Sequence, residues 1–543
     1  MNPTPAVRRR ELSRALLASF GVLASFSFAP FATAADGTWN ADAGGNWTSG
    51  VSTNWASVAA EGADFTAFFN TVNITANRTV TLTAPLIIGN LAFGDATTAS
   101  HDWTLAQSGG SVLTLQTTTG TPTITIDNRT ATISAGLAGN QGFTKAGTGR
   151  LILNGAHSLT GTLTVSAGTL DLWSTASTYA NNINLTTTTS TLDAANTATG
   201  STATISGNIT GAGRINKTGS VSTMVLAGNN DFSGGVTLGA GTIVVGSGTN
   251  NGIGTGTLTL SGGALRSLDN ASRTFSNVIA MGSNPLRFGG LQGDITGLGD
   301  LNFTWTGSAS VGGNKTWTIN NATTAAFANN WSGNSGWNVT KAGTGGLVFN
   351  GNLTGTGVGL VVSAGTMSLN GSANSYSGAT TVNGGALFVD GVVTNSAITV
   401  NNGGRIGGLG SVGNVTFNAG AGLAYNVANV AQGGDGLTAA SFTGAGVGGF
   451  TIFLGGAAAG FDDSANYTWT VLSSADVASI SLSGITLDTS GFGQSFTGEF
   501  SVTKDAGSLH VNYIGSIVPE PSSAALLAGF GILGFTMTRR RRG

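Results

Sequence analysis

The stretch from Lys145 to Leu172, KAGTGRLILNGAHSLTGTLTVSAGTLDL, recurs as KTGSVSTMVLAGNNDFSGGVTLGAGTIVV from Lys217 to Val245. A third copy opens KAGTGGLVFNG at Lys341 and continues through LVVSAGTMSLNG and NSYSGATTVNGGALFVDG to Gly391. Each copy reads as K-x-G, an alternating apolar segment, an N-G or A-G step, a second such segment, then A-G-T-L and a third. Segments of four to six residues with period-2 apolar positions are strands, and Gly, Asn and Ser between them supply the tight corners. One such unit cannot bury its apolar face alone, but stacked units can, each rung shielded by the next. Leu151 to Leu170 is nineteen positions, close to one coil of a repeat solenoid. The pattern predicts an all-β parallel β-solenoid. A string of small β-sandwiches is the alternative that the repeats leave open.

Composition agrees with this reading. Of 543 residues 88 are Gly, none is Cys, and only 8% are charged, while 40% are apolar. So much Gly opposes helices, and so little charge with so much apolar content opposes disorder. Without cysteine there are no disulfides, thiol nucleophiles or thiolate metal sites.

The compartment is read from the two ends. At the front, Arg8, Arg9, Arg10 and Arg14 precede an apolar run and the small residues Ala32-Thr33-Ala34. That is the layout of a cleavable secretory signal, with Ala32 and Ala34 flanking the expected cut by signal peptidase. Arg9-Arg10-Glu11-Leu12 loosely resembles a twin-arginine signal, so the export route stays open. At the back, Ser522 to Thr538 is a seventeen-residue apolar run, at the lower limit for a spanning helix, closed by Arg539, Arg540, Arg541 and Arg542. Those arginines would stay on the cytoplasmic side and leave the body outside. Removing both ends leaves 13 basic against 22 acidic residues, a net charge of −9 for residues 35–521. Such a body, with no basic cluster, excludes nucleic acid as a partner.

Two resemblances follow from these motifs. The K-x-G-x-G-x-L-x-L-x-G pattern with its following S/T-G and A-G-T-L steps resembles the autotransporter-associated β-strand repeat, which implies a right-handed parallel β-helix. In the second copy Gly219-Ser220-Val221 replaces the second Gly of the motif. Trp39, Trp47 and Trp55, spaced W-x7-W-x7-W, look like the start region ahead of such repeats. Val518, Pro519, Glu520 and Pro521, followed by the short apolar run and the arginines, resemble the PEP-CTERM protein-sorting signal. That resemblance implies recognition by an exosortase-type processing enzyme, with Glu520 as a recognition residue, and transient passage through the inner membrane. A permanent anchor built from the same run is the competing reading. A membrane barrel needs roughly a dozen strands of about ten residues, and none is expected after Leu423.

The expected organisation is therefore a signal peptide at 1–34, an N-terminal β region capping the solenoid at 35–130, the solenoid at 131–430 with repeats at 145–172, 217–245 and 341–391, a C-terminal β region at 431–517, and the sorting signal at 518–543. Catalytic constellations are absent from the pattern. His101, His157 and His510 are dispersed, without metal-ligand spacing, and each reads as a polar face or turn residue. Gly433 to Leu437 resembles half of a calcium-binding nonapeptide but stands alone. Asp462-Asp463 reads as a solvated turn, with Lys504 the next basic residue downstream. Lys145, Lys217 and Lys341 read as outward strand residues that keep the surface soluble. Trp305, Trp317, Trp331 and Trp337 read as a plug for the solenoid, with sugar stacking as the other possibility. No catalytic residue, cofactor or metal is expected. The chain reads as a structural or adhesive surface protein whose partners are exopolysaccharide or other surface proteins; the alternative is a β-helix polysaccharide lyase or hydrolase. The two differ in whether carboxylates and basic residues of adjacent coils converge, or a flat Thr/Asn/Ser face is presented.

Overall fold

The computed structural model describes residues 34–516 apart from 98, 174–175, 247–251, 270–271, 283–284, 290–301, 308, 312, 321–322, 334–335, 430–434 and 445–448. The signal peptide's Ala32, the sorting motif Val518 to Pro521, the apolar run and Arg539 to Arg542 lie outside the described residues, and the Gly433–Leu437 stretch lies only partly within them. Among the described residues there is no α-helix, and no helix is long and apolar enough to cross a membrane.

Short strands stack coil upon coil into sheets of 11, 14, 17 and 10 strands, and the solenoid expected from the repeats is what forms. Nearly all pairings are parallel, so the separate β-sandwiches are excluded. One inward column shows why. Leu151 pairs with Leu170, then Leu192, Ile215, Val236, Leu258 and Ile279 follow in register. Every side chain in that column is at most 1% exposed. Each buried aliphatic contributes about 1.5–3 kcal/mol relative to exposure, and it is covered by the rungs above and below rather than by a second layer.

Corners fix the coil shape. Gly147 sits at φ +73°, and a Cβ there would lie 2.1 Å from the Ile126 carbonyl oxygen one coil below. Gly147→Ala is expected to cost about 1–2 kcal/mol from the left-handed backbone alone, more with the clash, read as a lower urea midpoint. A midpoint equal to wild type would show the corner to be adaptable. Polar corners are satisfied by asparagines turned inward: Asn181 donates to the Leu159 and Gly161 carbonyls at 3.0 and 2.6 Å, and Asn277 to Gly254 and Gly256 at 3.1 and 2.6 Å.

Both ends are closed with aromatic rings. Trp39, Trp47 and Trp55 pack edge to face around Phe69, with Trp39–Trp55 at 5.2 Å and Trp47–Trp55 at 5.4 Å. At the other end the hairpin Glu499–Lys504 and Ser508–Ile514 pairs antiparallel onto Tyr467–Ser473. An antiparallel finish ends the parallel template, which would otherwise invite another chain. In between, Trp305, Trp317 and Trp331 lie inside, each at most 1% exposed, and stack with Phe327 and Phe349. They plug the interior as read from the sequence; Trp337 is only half-buried.

Candidate functional site

The repeated lysines correct the sequence reading. Lys145, Lys217 and Lys341 are fully buried and point inward, not outward. Lys145 Nζ donates to the carbonyls of Ala146, Gly147 and Ala167 at 2.9, 2.7 and 3.0 Å. Lys341 Nζ repeats the arrangement with Ala342, Gly343 and Ala364 at 2.9, 2.7 and 3.1 Å. K-x-G and A-G-T are thus two halves of one socket: the first corner and the next coil's corner present carbonyls to a single ammonium. In the degenerate copy Lys217 Nζ donates to Gly219 O and to Ser222 Oγ, the latter at 2.9 Å, and Ser222 Oγ passes a hydrogen bond on to Ala194 O at 2.8 Å. Burial pulls each of these amines down to about 8.

Oppositely charged side chains of adjacent coils also meet, a pattern that would suit an enzyme. Arg150 Nε donates to Asp171 Oδ2 at 2.9 Å, and Arg150 Nη2 bonds Asp171 and reaches Asp193 Oδ2 at 3.3 Å. The rest of the geometry assigns the cluster to the corners. Asp171 Oδ1 accepts from the Ala195 N–H at 3.0 Å, one coil on, and Asp193 accepts from the N–H and hydroxyl of Thr218 at 3.1 and 2.7 Å. Each aspartate ties down the corner of the following coil. Asp171 and Asp193 are 0% and 1% exposed, so neither oxygen pair faces a space that a sugar could enter. Burial raises the Asp171 carboxyl, against the opposing pull of Arg150.

The remaining expected site residues stay apart. His101 sits at a turn, its Nδ1 3.0 Å from Ile74 O. His510 is a strand residue 3.2 Å from Asp505. His157 is half-buried at a corner, accepts from the Leu137 N–H at 3.2 Å, and burial lowers it to about 4, leaving it neutral. With Tyr179 and Asn181 it lines a cavity of about 110 Å³. Asp462-Asp463 is a turn in which Asp463 accepts from the Thr497 N–H at 2.8 Å and from the Tyr513 hydroxyl, well away from Lys504, whose Nζ donates to Ala478 O at 2.7 Å. No group of three or more His, Asp or Glu side chains able to hold a metal is found among the described residues.

What the outer faces offer instead is hydroxyls and amides. On one face Thr123, Thr144, Thr164, Asn184 and Thr210 form a continuous row in register. Along a corner, Asn418 donates to Asn401 at 2.6 Å and Asn401 to Asn383 at 2.7 Å, an amide ladder climbing three coils. Such a face is flat, uncharged and repetitive.

A long parallel β-solenoid with inward-bonded lysine corners and hydroxyl-lined faces is passenger-like, and the repeats agree. Residues 143–172, 215–245 and 363–388 match the passenger-associated-transport-repeat, so the chain carries autotransporter-associated repeats. It is similar to "Adhesin BmaC autotransporter" of Brucella suis biovar 1 (strain 1330), at 33% identity over 177 residues. That match covers 30% of this chain and 5% of the relative's length.

Proposed function

We propose that this chain is an exported β-solenoid of the cell surface or extracellular matrix, with a structural and adhesive role and an association with exopolysaccharide. The observation that carries the reading is the register of hydroxyl and amide rows along a solenoid bearing passenger-type repeats. A name containing adhesin on a partly matching relative supports it. Mechanistically, many weak contacts along one rigid face add up to useful avidity, because each bound site raises the effective concentration of the next. The coil is taken as right-handed, the sense favoured for parallel crossovers. The buried and backbone-bonded state of Asp171 and Asp193 argues against the lyase or hydrolase alternative.

In this proposal the signal at 1–34 exports the chain through signal peptidase, and 518–543 holds it briefly in the inner membrane until an exosortase-type enzyme acts at Val518 to Pro521. Deleting 518–543 and fractionating cells tests it. The full chain is expected at the surface or in the medium with its tail removed, and the truncated chain is expected to bypass the membrane-bound precursor. Unchanged mass and location in the full chain would overturn the sorting reading.

A further inference from the structure

The outer face near the C-terminal end departs from the flat pattern. In the sheet that runs through Gly346–Phe349, Thr366–Leu369, Gly385–Val389, Gly404–Gly407, Gly422–Asn426 and Phe450–Gly456, one outward row reads Val348, Ser368, Phe388, Gly407, Ala424, Phe453 in register. Two phenylalanines stand out of the sheet with two side-chain-poor steps between them. Strand spacing puts their Cα atoms three steps, or about 14 Å, apart. The floor has to be bare. A Cβ on Gly407 would lie 2.1 Å from Ala424 O, and one on Gly422 would lie 2.6 Å from the Phe453 ring.

Polar groups rim this trough. The Arg405 guanidinium lies flat against the Phe453 ring, its carbon 3.4 Å from the centroid. Its N–H groups meet no protein acceptor among the described residues, so the fork is held in place by the ring and left open to solvent. Asp488 pairs with Phe453 from the coil beyond it, and Asp390 flanks Phe388, each using one oxygen on a nearby N–H (Ser490 at 2.9 Å, Leu409 at 3.0 Å). The space forms two adjoining cavities of about 280 and 250 Å³ that share Phe388, Ala424, Tyr425 and Asn426.

We infer that this trough binds a short stretch of an uncharged polysaccharide, the Phe388 ring stacking on a sugar face while Arg405, braced on Phe453, and Asp390 and Asp488 bond the hydroxyls. A sugar ring pairs an apolar C–H face with a polar rim, the same division the trough presents. Two carboxylates against one guanidinium, on a body of net charge −9, oppose a polyanion. A peptide fits less well. The strands that carry Phe388, Gly407, Ala424 and Phe453 sit inside the sheet with their N–H and C=O groups spent on neighbours, so between the two rings no edge is free for strand addition. The inference rests on the surface reading and deepens it by giving the contact an address.

The test uses the purified full chain, with cellohexaose, laminarihexaose and maltohexaose as neutral probes and an oligogalacturonate as the anionic one, read by calorimetry. At least one neutral probe is expected to bind. Replacing both Phe388→Ala and Phe453→Ala is expected to weaken it about tenfold or more, with the thermal melt unchanged. Arg405→Gln, a surface change that leaves the fold no cavity, is expected to weaken the same probe. Failure of every neutral probe, equal binding by the Arg405→Gln chain, or preference for the oligogalacturonate would overturn the inference. So would self-association that the double variant abolishes in the absence of glycan binding, which would assign the trough to a second copy. Calorimetry reads the trough and fractionation reads the cellular location, so either can fail without the other.

Discussion

Trp317→Ala is expected to destabilise the middle of the solenoid by about 3–5 kcal/mol, the range for removing a buried large aromatic. Trp317 is fully buried, with Phe327, Trp331 and Phe349 at 5.5, 5.6 and 6.4 Å between ring centroids. Phe327 and Trp331 belong to the same coil as Trp317 and Phe349 to the next, each held by the coils beside it, so they cannot collapse into the hole without shifting the ladder register. The indole N–H adds a contrast. Among the described residues Trp317 Nε1 is buried without a hydrogen-bond partner, as are Nε1 of Trp305 and Trp331. Leaving a donor unsatisfied costs about 1–3 kcal/mol. Trp317→Phe removes that donor while keeping most of the ring, and is expected to cost far less than the alanine change. Hydrogen exchange of the amides in Lys315–Ile319 and Asn338–Ala342 reads both variants locally, which suits a solenoid whose coils need not unfold together. Equal protection in the alanine variant and wild type would mean that the aliphatic rungs alone hold these coils.

The rungs were legible because a strand's two faces alternate, so an apolar residue at every second position announces the inside. Leu151, Leu170 and Ile215 could be placed from the sequence without any knowledge of their neighbours. The facing of the lysines was legible too, by the same rule. Phe143, Ile215 and Val339 stand two residues before Lys145, Lys217 and Lys341, which puts each lysine on the buried face. What overrides that rule from sequence alone is the rarity of buried lysine, and the carbonyl socket that makes it tolerable exists only once two corners are folded together.

The trough could not be read, for a different reason. Phe388 and Phe453 are 65 residues apart, and they share an outward row only because the register places them three strands from each other. Coil length varies between steps: 19 residues from Phe388 to Gly407, 17 to Ala424, then 29 to Phe453. Counting along the chain therefore does not predict which outward residues meet. The convergence of Arg150, Asp171 and Asp193 has the same origin, although there the partners turned out to be backbone groups of the next corner.

Between pH 7.5 and 9.5 the stability of the solenoid is expected to rise, and the lysine sockets are the reason. Lys145, Lys217 and Lys341 are held down to about 8 in the fold, against 10.5 for the free side chain. Below about 8 both states carry the proton, and above 10.5 neither does. In between, the unfolded chain binds more protons than the folded one, so stability increases with pH across that window. A neutral amine still donates to the socket carbonyls while no longer carrying a buried charge. An upper limit is set by Tyr376, fully buried and pushed up to about 12 from 10.0, whose stabilisation is complete below 10 and is lost as pH rises towards 12. The maximum is therefore expected near pH 10. Lys145→Met separates this from a general surface-charge effect. It leaves the carbonyls of Ala146, Gly147 and Ala167 without their donor, which is expected to cost about 3 kcal/mol or more at pH 7.5. It also removes one of the three titrations, so the variant's stability should climb less steeply between pH 7.5 and 9.5 than that of wild type. Urea midpoints at the two pH values measure both effects. A flat or falling wild-type midpoint, or equal slopes in the two chains, would show that the socket holds its lysine by packing of the aliphatic stem and not through the charge on its nitrogen.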